Sequence, residues 1–234
     1  MTGTTVDITA DDGGRFSGYR ALPPGGRGPG LVICQEIFGI NPFIRETVEF
    51  FAGQGFVTVA PDLFWRLEPG VDLGYDGADR ERAFDLMQRF ATDAGIRDIA
   101  ATVRALRAMP AVDGGVGAVG FCLGGRLAYL AAARAGVDCA VGYYGVTIDR
   151  WLAEAGNIRV PLLLHFAMED QFAPMPVIRT IQDALAGNPN VEILLYPGVD
   201  HGFARPVSPH FDAASARLAP DRTLALLRKV LPTA

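Results

Sequence analysis

The chain has 234 residues, so a prior of roughly 150 residues per domain allows one domain or two. Half of its residues are hydrophobic and a fifth are charged, which excludes a disordered chain. Its 26 acidic residues outnumber the 21 basic ones, and the formal charge of -5 leaves no broad cationic footprint for nucleic acid or an anionic membrane.

Residues 6–9 and 16–21 alternate apolar and polar side chains around the turn cluster Asp11-Asp12-Gly13-Gly14. This pattern predicts an antiparallel hairpin at the open edge of a sheet. Unbroken apolar runs follow at 31–34, 56–60, 116–119, 139–143, 162–164 and 191–195, and runs apolar on both faces read as buried parallel strands. Helical patterns lie between them at 42–54, 79–90, 96–109, 123–135, 176–185 and 213–231, the first with Asn41 as N-cap and Pro42 in its first turn. The fold class is therefore α/β: one domain over 1–234, built on a doubly wound, mostly parallel sheet with an antiparallel N-terminal hairpin. Ligands of such sheets bind at the carboxyl ends of the strands. The stretch 61–79 is too long for a routine connection and is expected to cover such a site.

The three cysteines, Cys34, Cys122 and Cys139, cannot all pair within one chain and form no CxxC motif, which points to a reducing compartment. The opening MTGTTVDITADDGG has neither the basic segment nor the apolar run of a signal peptide, and the apolar stretch 127–146 is broken by Arg134 and Asp138. A cytoplasmic protein without nucleic-acid or membrane partners is expected.

Gly120-Phe121-Cys122-Leu123-Gly124 places G-x-C-x-G between a predicted strand and a predicted helix, the setting of a nucleophile elbow with cysteine at the serine position. Glycines remove side chains that would collide at so sharp a turn, and the helix that starts after Cys122 turns its positive dipole end toward the sulfur. A structural cysteine beside a glycine-rich turn is the competing reading. Gly115 to Gly120 also fits G-x-G-x-x-G, but the predicted strand lies inside the motif instead of before it, so a dinucleotide site is rejected. A nucleophile needs a base and an orienting carboxylate, which on such an elbow follow in the order nucleophile, acid, histidine. Asp170 and His201 satisfy that order just after the runs 162–164 and 191–195, with Glu169 and Asp200 as alternative orienters. Glu36 directly follows a buried strand, where a charge is costly unless it is paired or faces a cleft.

These residues resemble the dienelactone hydrolase family, the carboxymethylenebutenolidases of the α/β-hydrolase superfamily. The resemblance rests on Gln35-Glu36-Ile37-Phe38-Gly39, Pro61-Asp62-Leu63, Gly120-Phe121-Cys122-Leu123-Gly124-Gly125, Val141-Gly142-Tyr143-Tyr144-Gly145 and His201-Gly202-Phe203-Ala204-Arg205. It implies an α/β-hydrolase fold and hydrolysis of a small, carboxylate-bearing enol lactone, dienelactone to maleylacetate, without metal or organic cofactor. It also implies that Cys122 is the nucleophile, His201 the base and acid, Asp170 its orienter and Glu36 an additional carboxylate that holds the resting thiol neutral. The backbone N–H groups of Leu123 and Ile37 would form the oxyanion hole. Arg80 and Arg205 would hold the substrate carboxylate, and Phe84, Met87, Phe172 and Tyr144 would complete the binding site. Phe84 stands where a subgroup carries tyrosine, Met87 where it carries tryptophan, and Gly202 where serine also occurs, so the pocket wall has fewer polar groups and the preferred lactone is open. A monomer is expected. The rivals are a broader carboxylesterase or thioesterase on the same triad and a noncatalytic, redox-active small-molecule binder.

Overall fold

The computed structural model describes residues 3–232. Strands β1 (Thr4–Thr9) and β2 (Arg15–Ala21) form the expected hairpin. Gly13 supplies a positive φ of 84° at its turn, and Asp12 Oδ1 accepts the N–H of Gly14 at 3.0 Å. The remaining strands are β3 (Gly28–Cys34), β4 (Val57–Pro61), β5 (Val112–Phe121), β6 (Cys139–Tyr143), β7 (Leu162–Ala167) and β8 (Val191–Tyr196). They form one eight-stranded sheet in the order β1-β2-β4-β3-β5-β6-β7-β8. The hairpin strand β2 runs antiparallel to β4, and every pair from β4 to β8 is parallel.

The helices are α1 (Pro42–Gly53), α2 (Gly77–Arg89), α3 (Thr92–Ala108), α4 (Leu123–Arg134), α5 (Met175–Leu185) and α6 (Ala213–Val230). As expected, Asn41 caps α1, its side chain accepting the N–H of Ile44 at 3.3 Å, with Pro42 in the first turn. Helices α3 and α4 pack against one another and on β3 and β5, while α1 lies on β2 to β4 and α6 on β6 and β7. Strands β3, β4, β6 and β7 are buried along their whole length.

Four sequence expectations change. The run 191–195 is not a buried strand: β8 ends the sheet, and all but Tyr196 are partly or fully exposed. Strand β5 begins at Val112 instead of 116, because Val112 pairs with Gly28 ahead of a register shift in which Asp113, Gly114 and Gly115 bulge before Val116 pairs with Gly30. Helix α3 begins at Thr92, ahead of 96, since Gly95 does not break it: a Cβ there would lie 2.3 Å from the Phe90 ring, so the glycine is a packing contact. A 3₁₀ segment at Ile148–Asn157, kinked at Trp151, fills a connection for which no element was expected.

The chain runs from β3 outward to β4, then crosses back to place β5 on the other side of β3. That reversal leaves a crevice at the carboxyl ends of β3 and β5, where Glu36 and Cys122 emerge.

Candidate active site

Cys122 follows β5 at φ 55°, ψ −114°, a conformation that holds its side chain above the strand ends. The glycines around it are steric necessities. A Cβ on Gly120 would lie 1.9 Å from the Gly124 carbonyl oxygen, and one on Gly124 would lie 2.1 Å from that of Cys34. The turn is clamped by Cys122 N–H donating to Tyr143 O at 3.0 Å and by the N–H of Gly125 donating back to Cys122 O at 3.0 Å. The G-x-G-x-x-G match lies wholly within β5, as its rejection required.

His201, in the loop after β8, lines the same cavity as Cys122. Its Nδ1 is 2.7 Å from Asp170 Oδ2, and Asp170 Oδ1 accepts the N–H groups of Phe172 at 2.7 Å and Ala173 at 3.3 Å. The two alternative orienters are elsewhere: Glu169 is exposed, and Asp200 accepts the backbone N–H of His201 at 2.6 Å. The rings of Tyr144 and Phe172 each approach the imidazole edge-on at 4.9 Å. Burial disfavours the imidazolium, but the Cys122 sulfur and the Asp170 hydrogen bond outweigh it and push His201 up to about 10.

His165 is the opposite case. It lies inside β7 with Nδ1 at 2.9 Å from the Tyr196 hydroxyl and Nε2 at 3.1 Å from that of Thr223, and burial pushes it down to about 3. The two histidines make stability pH-dependent at opposite ends. Between the ordinary histidine value and about 3, the unfolded chain protonates at His165 while the folded chain does not, so stability should fall as pH drops through that range. Between the ordinary value and about 10 only the folded chain keeps the His201 proton, so that contribution should fade as pH rises through 10. Proton-detected titration of the imidazole signals checks both: His165 should stay neutral at pH 5 while His201 remains charged at pH 8 (from shifts to about 3 and about 10).

Glu36, 1% exposed, is engaged by Arg205, whose Nη1 donates to Oε1 and Oε2 at 2.9 Å each. Tyr75 donates more weakly to Oε2 at 3.5 Å, and the Arg205 guanidinium lies 4.0 Å from the centre of the Tyr75 ring. The carboxylate expected to hold the thiol thus faces an arginine, and the sulfur faces His201.

These groups open on a cavity of about 470 Å³. Of the expected binding residues, Ile37, Arg80, Phe84, Met87, Phe172 and Arg205 line it. Arg80 is exposed and stands over the Phe84 ring, whereas Arg205 is buried in its ion pair. Tyr144 is not on the wall: it is fully buried behind His201, its hydroxyl without a partner, because φ 37° at this residue turns the ring under the imidazole toward Phe203. Leu123 is buried at the first turn of α4, and only its backbone N–H can serve the site. Neither that N–H nor that of Ile37 has a protein acceptor among the described residues. Gly202, at φ 79°, suits glycine, and a Cβ there would crowd Arg205 Nη2 at 3.3 Å.

Phe38, Tyr75, Thr147 and His210 also stand on the wall and were not expected there from the sequence. For Tyr75 a signal existed, since the stretch 61–79 was expected to cover a site. For Thr147 none did. Among the described residues no cluster of histidine, cysteine, aspartate and glutamate could hold a metal ion, and no helix is long and apolar enough to cross a membrane.

The family model of the dienelactone hydrolase family matches residues 16–231. Carboxymethylenebutenolidase 1 of Cupriavidus pinatubonensis is 41% identical over 228 residues, covering 97% of each chain. A carboxymethylenebutenolidase of a Pseudomonas species is 39% identical over 228 residues, with 97% of this chain and 95% of that one covered. Among solved structures, a Klebsiella pneumoniae protein assigned as a dienelactone hydrolase superposes with a TM-score of 0.84 at 25% identity, over 96% of this chain and 98% of that one.

Proposed function

The chain belongs to the dienelactone hydrolase family and is a hydrolase of ester bonds, and from that premise we propose that it opens a small, carboxylate-bearing enol lactone of the dienelactone type through Cys122, His201 and Asp170. The observation that carries the reading is one cavity lined by the elbow cysteine, by His201 held 2.7 Å from Asp170, and by Arg205 and Arg80.

In this reading the Cys122 thiolate bonds to the lactone carbonyl carbon, and the oxygen that becomes anionic receives the free N–H groups of Leu123 and Ile37. The ring C–O bond then breaks and releases an enolate, which takes up the imidazolium proton of His201. Water gives a proton to His201 as it attacks the thioester carbon, the C–S bond breaks to restore the thiolate, and the new carboxylic acid gives its proton to solvent and leaves as a carboxylate. Asp170 holds the imidazole in the tautomer both steps need. The substrate carboxylate competes with Glu36 for Arg205, and the released Glu36 can then accept the thiol proton before attack and return it to the restored sulfur as product leaves.

The walls of Ile37, Phe38, Phe84, Met87, Val146 and Phe172 suit a flat, conjugated ring, and the arginines suit its carboxylate. Arg80 is exposed and forms no ion pair among the described residues, so Arg80→Met should leave folding intact and raise KM for the anionic lactone about 10- to 100-fold, from roughly 1.4 to 2.8 kcal/mol of lost contact. A neutral aryl ester should be affected far less, and equal losses on both substrates would assign Arg80 to structure. The function itself is tested by kcat/KM on the dienelactone isomers against simple aryl esters and thioesters. Turnover confined to the latter would favour the broader esterase, and no thiol-dependent turnover of any would favour a binder.

A further inference from the structure

Arg126 stands one turn into α4 behind Cys122 and is 8% exposed. A guanidinium at that depth ordinarily has a carboxylate beside it. Among the described residues this one has only hydroxyls: Nη1 donates to Thr147 Oγ1 at 2.6 Å and Nη2 to Thr92 Oγ1 at 3.3 Å, while Nε is buried without a partner. Burial works against its charge, and the Cys122 sulfur is the group that most supports it.

Thr147 has φ 55°, the left-handed region that β-branched residues rarely adopt, and it lines the cavity beside Val146. Strain kept at a pocket wall is a mark of function. The guanidinium offers only donors, so Thr147 Oγ1 must accept from Nη1, and the hydroxyl proton is left to be donated. No protein acceptor takes it among the described residues, and the cavity wall also carries the apolar side chains of Phe84, Met87 and Val146.

We propose that Thr147 is a further substrate-binding residue, which donates its hydroxyl proton to an uncharged acceptor oxygen of the substrate ring, and that Arg126 is the positioning residue that fixes and polarises it. The inference rests on reading the cavity as a lactone site. The arginine pair comes from α2 and the loop after β8, whereas Thr147 and Arg126 come from the loop after β6 and from α4. Two such anchors hold a ring at both its carboxylate and its ring oxygen, so an oxygen heterocycle is selected over a carbocycle of the same shape.

Calorimetric titration of the intact protein with cyclopentylacetate and tetrahydrofuranylacetate tests this, because the two differ by one ring oxygen and neither contains an ester. The ether should bind the wild type about 10-fold tighter. In Thr147→Val, which keeps the β-branch, the gap should close with the carbocycle's Kd unchanged within about 2-fold. In Arg126→Met the gap should shrink as well; if that variant does not fold, Thr147→Val decides. An equal Kd for both ligands in the wild type, a gap that survives Thr147→Val, or no binding of either ligand by an enzyme that turns over the lactone overturns the inference. A gap that behaves as expected in a protein that does not turn over the lactone overturns the functional reading alone.

Discussion

Cys122→Ala is expected to lower lactone turnover by roughly 10,000-fold or more, since it removes the atom that forms the covalent intermediate in the proposed cycle while leaving the elbow backbone in place. The effect should be particular to this cysteine. Cys34 and Cys139 are fully buried, and burial pushes both thiols up to about 12, so neither presents a reactive thiolate near neutral pH. Cys122 is 7% exposed, opens on the cavity and has His201 beside it. Mass spectrometry after one equivalent of iodoacetamide should therefore find the label on Cys122 alone, with activity lost in proportion to labelling. Full activity in Cys122→Ala, or in enzyme labelled at Cys122, would exclude a thiol mechanism.

The elbow was legible because steric necessity writes it in local sequence: a Cβ on Gly120 or Gly124 would lie 1.9 or 2.1 Å from a carbonyl oxygen, so no other residue type fits. His201 and Asp170 were legible by a weaker rule, chain order after successive strands, with Asp170 preferred over Asp200 and Glu169 for its place between a strand end and Pro174, and its carboxylate lies 2.7 Å from His201 Nδ1. Three features were not legible for distinct physical reasons. The partner of Glu36 lies 169 residues away in a loop, and nothing local marks such a contact. The edge position of β8 depends on the absence of a ninth neighbour in the sheet, whereas its own residues read as buried. Tyr144 follows a strand end like the other site residues, but its positive φ turns the ring beneath His201 instead of into the cavity, and backbone φ at a non-glycine residue carries no sequence signature.

The Glu36–Arg205 pair should give the second-largest effect, because its partners answer to two demands that separate in a double-mutant cycle. As an ion pair it is buried, and Arg205→Met strands the Glu36 carboxylate with only the long Tyr75 contact; a loss of roughly 3 kcal/mol of stability is expected. Glu36→Gln keeps an amide oxygen for Arg205 and should cost less, and the double variant should recover much of what Arg205→Met alone loses. Activity should not recover in step. In the proposed cycle Arg205 serves the substrate carboxylate and Glu36 the thiol proton, so Arg205→Met should raise KM for the anionic lactone, whereas Glu36→Gln should lower kcat by about 100-fold. Its KM should hold or fall, since an arginine no longer neutralised by a carboxylate is freer to take the substrate anion. Urea midpoints and the split between kcat and KM read the two demands independently. An unchanged kcat with a lower KM in Glu36→Gln would mean that Glu36 only balances the charge of Arg205 until substrate arrives, and that His201 alone activates Cys122.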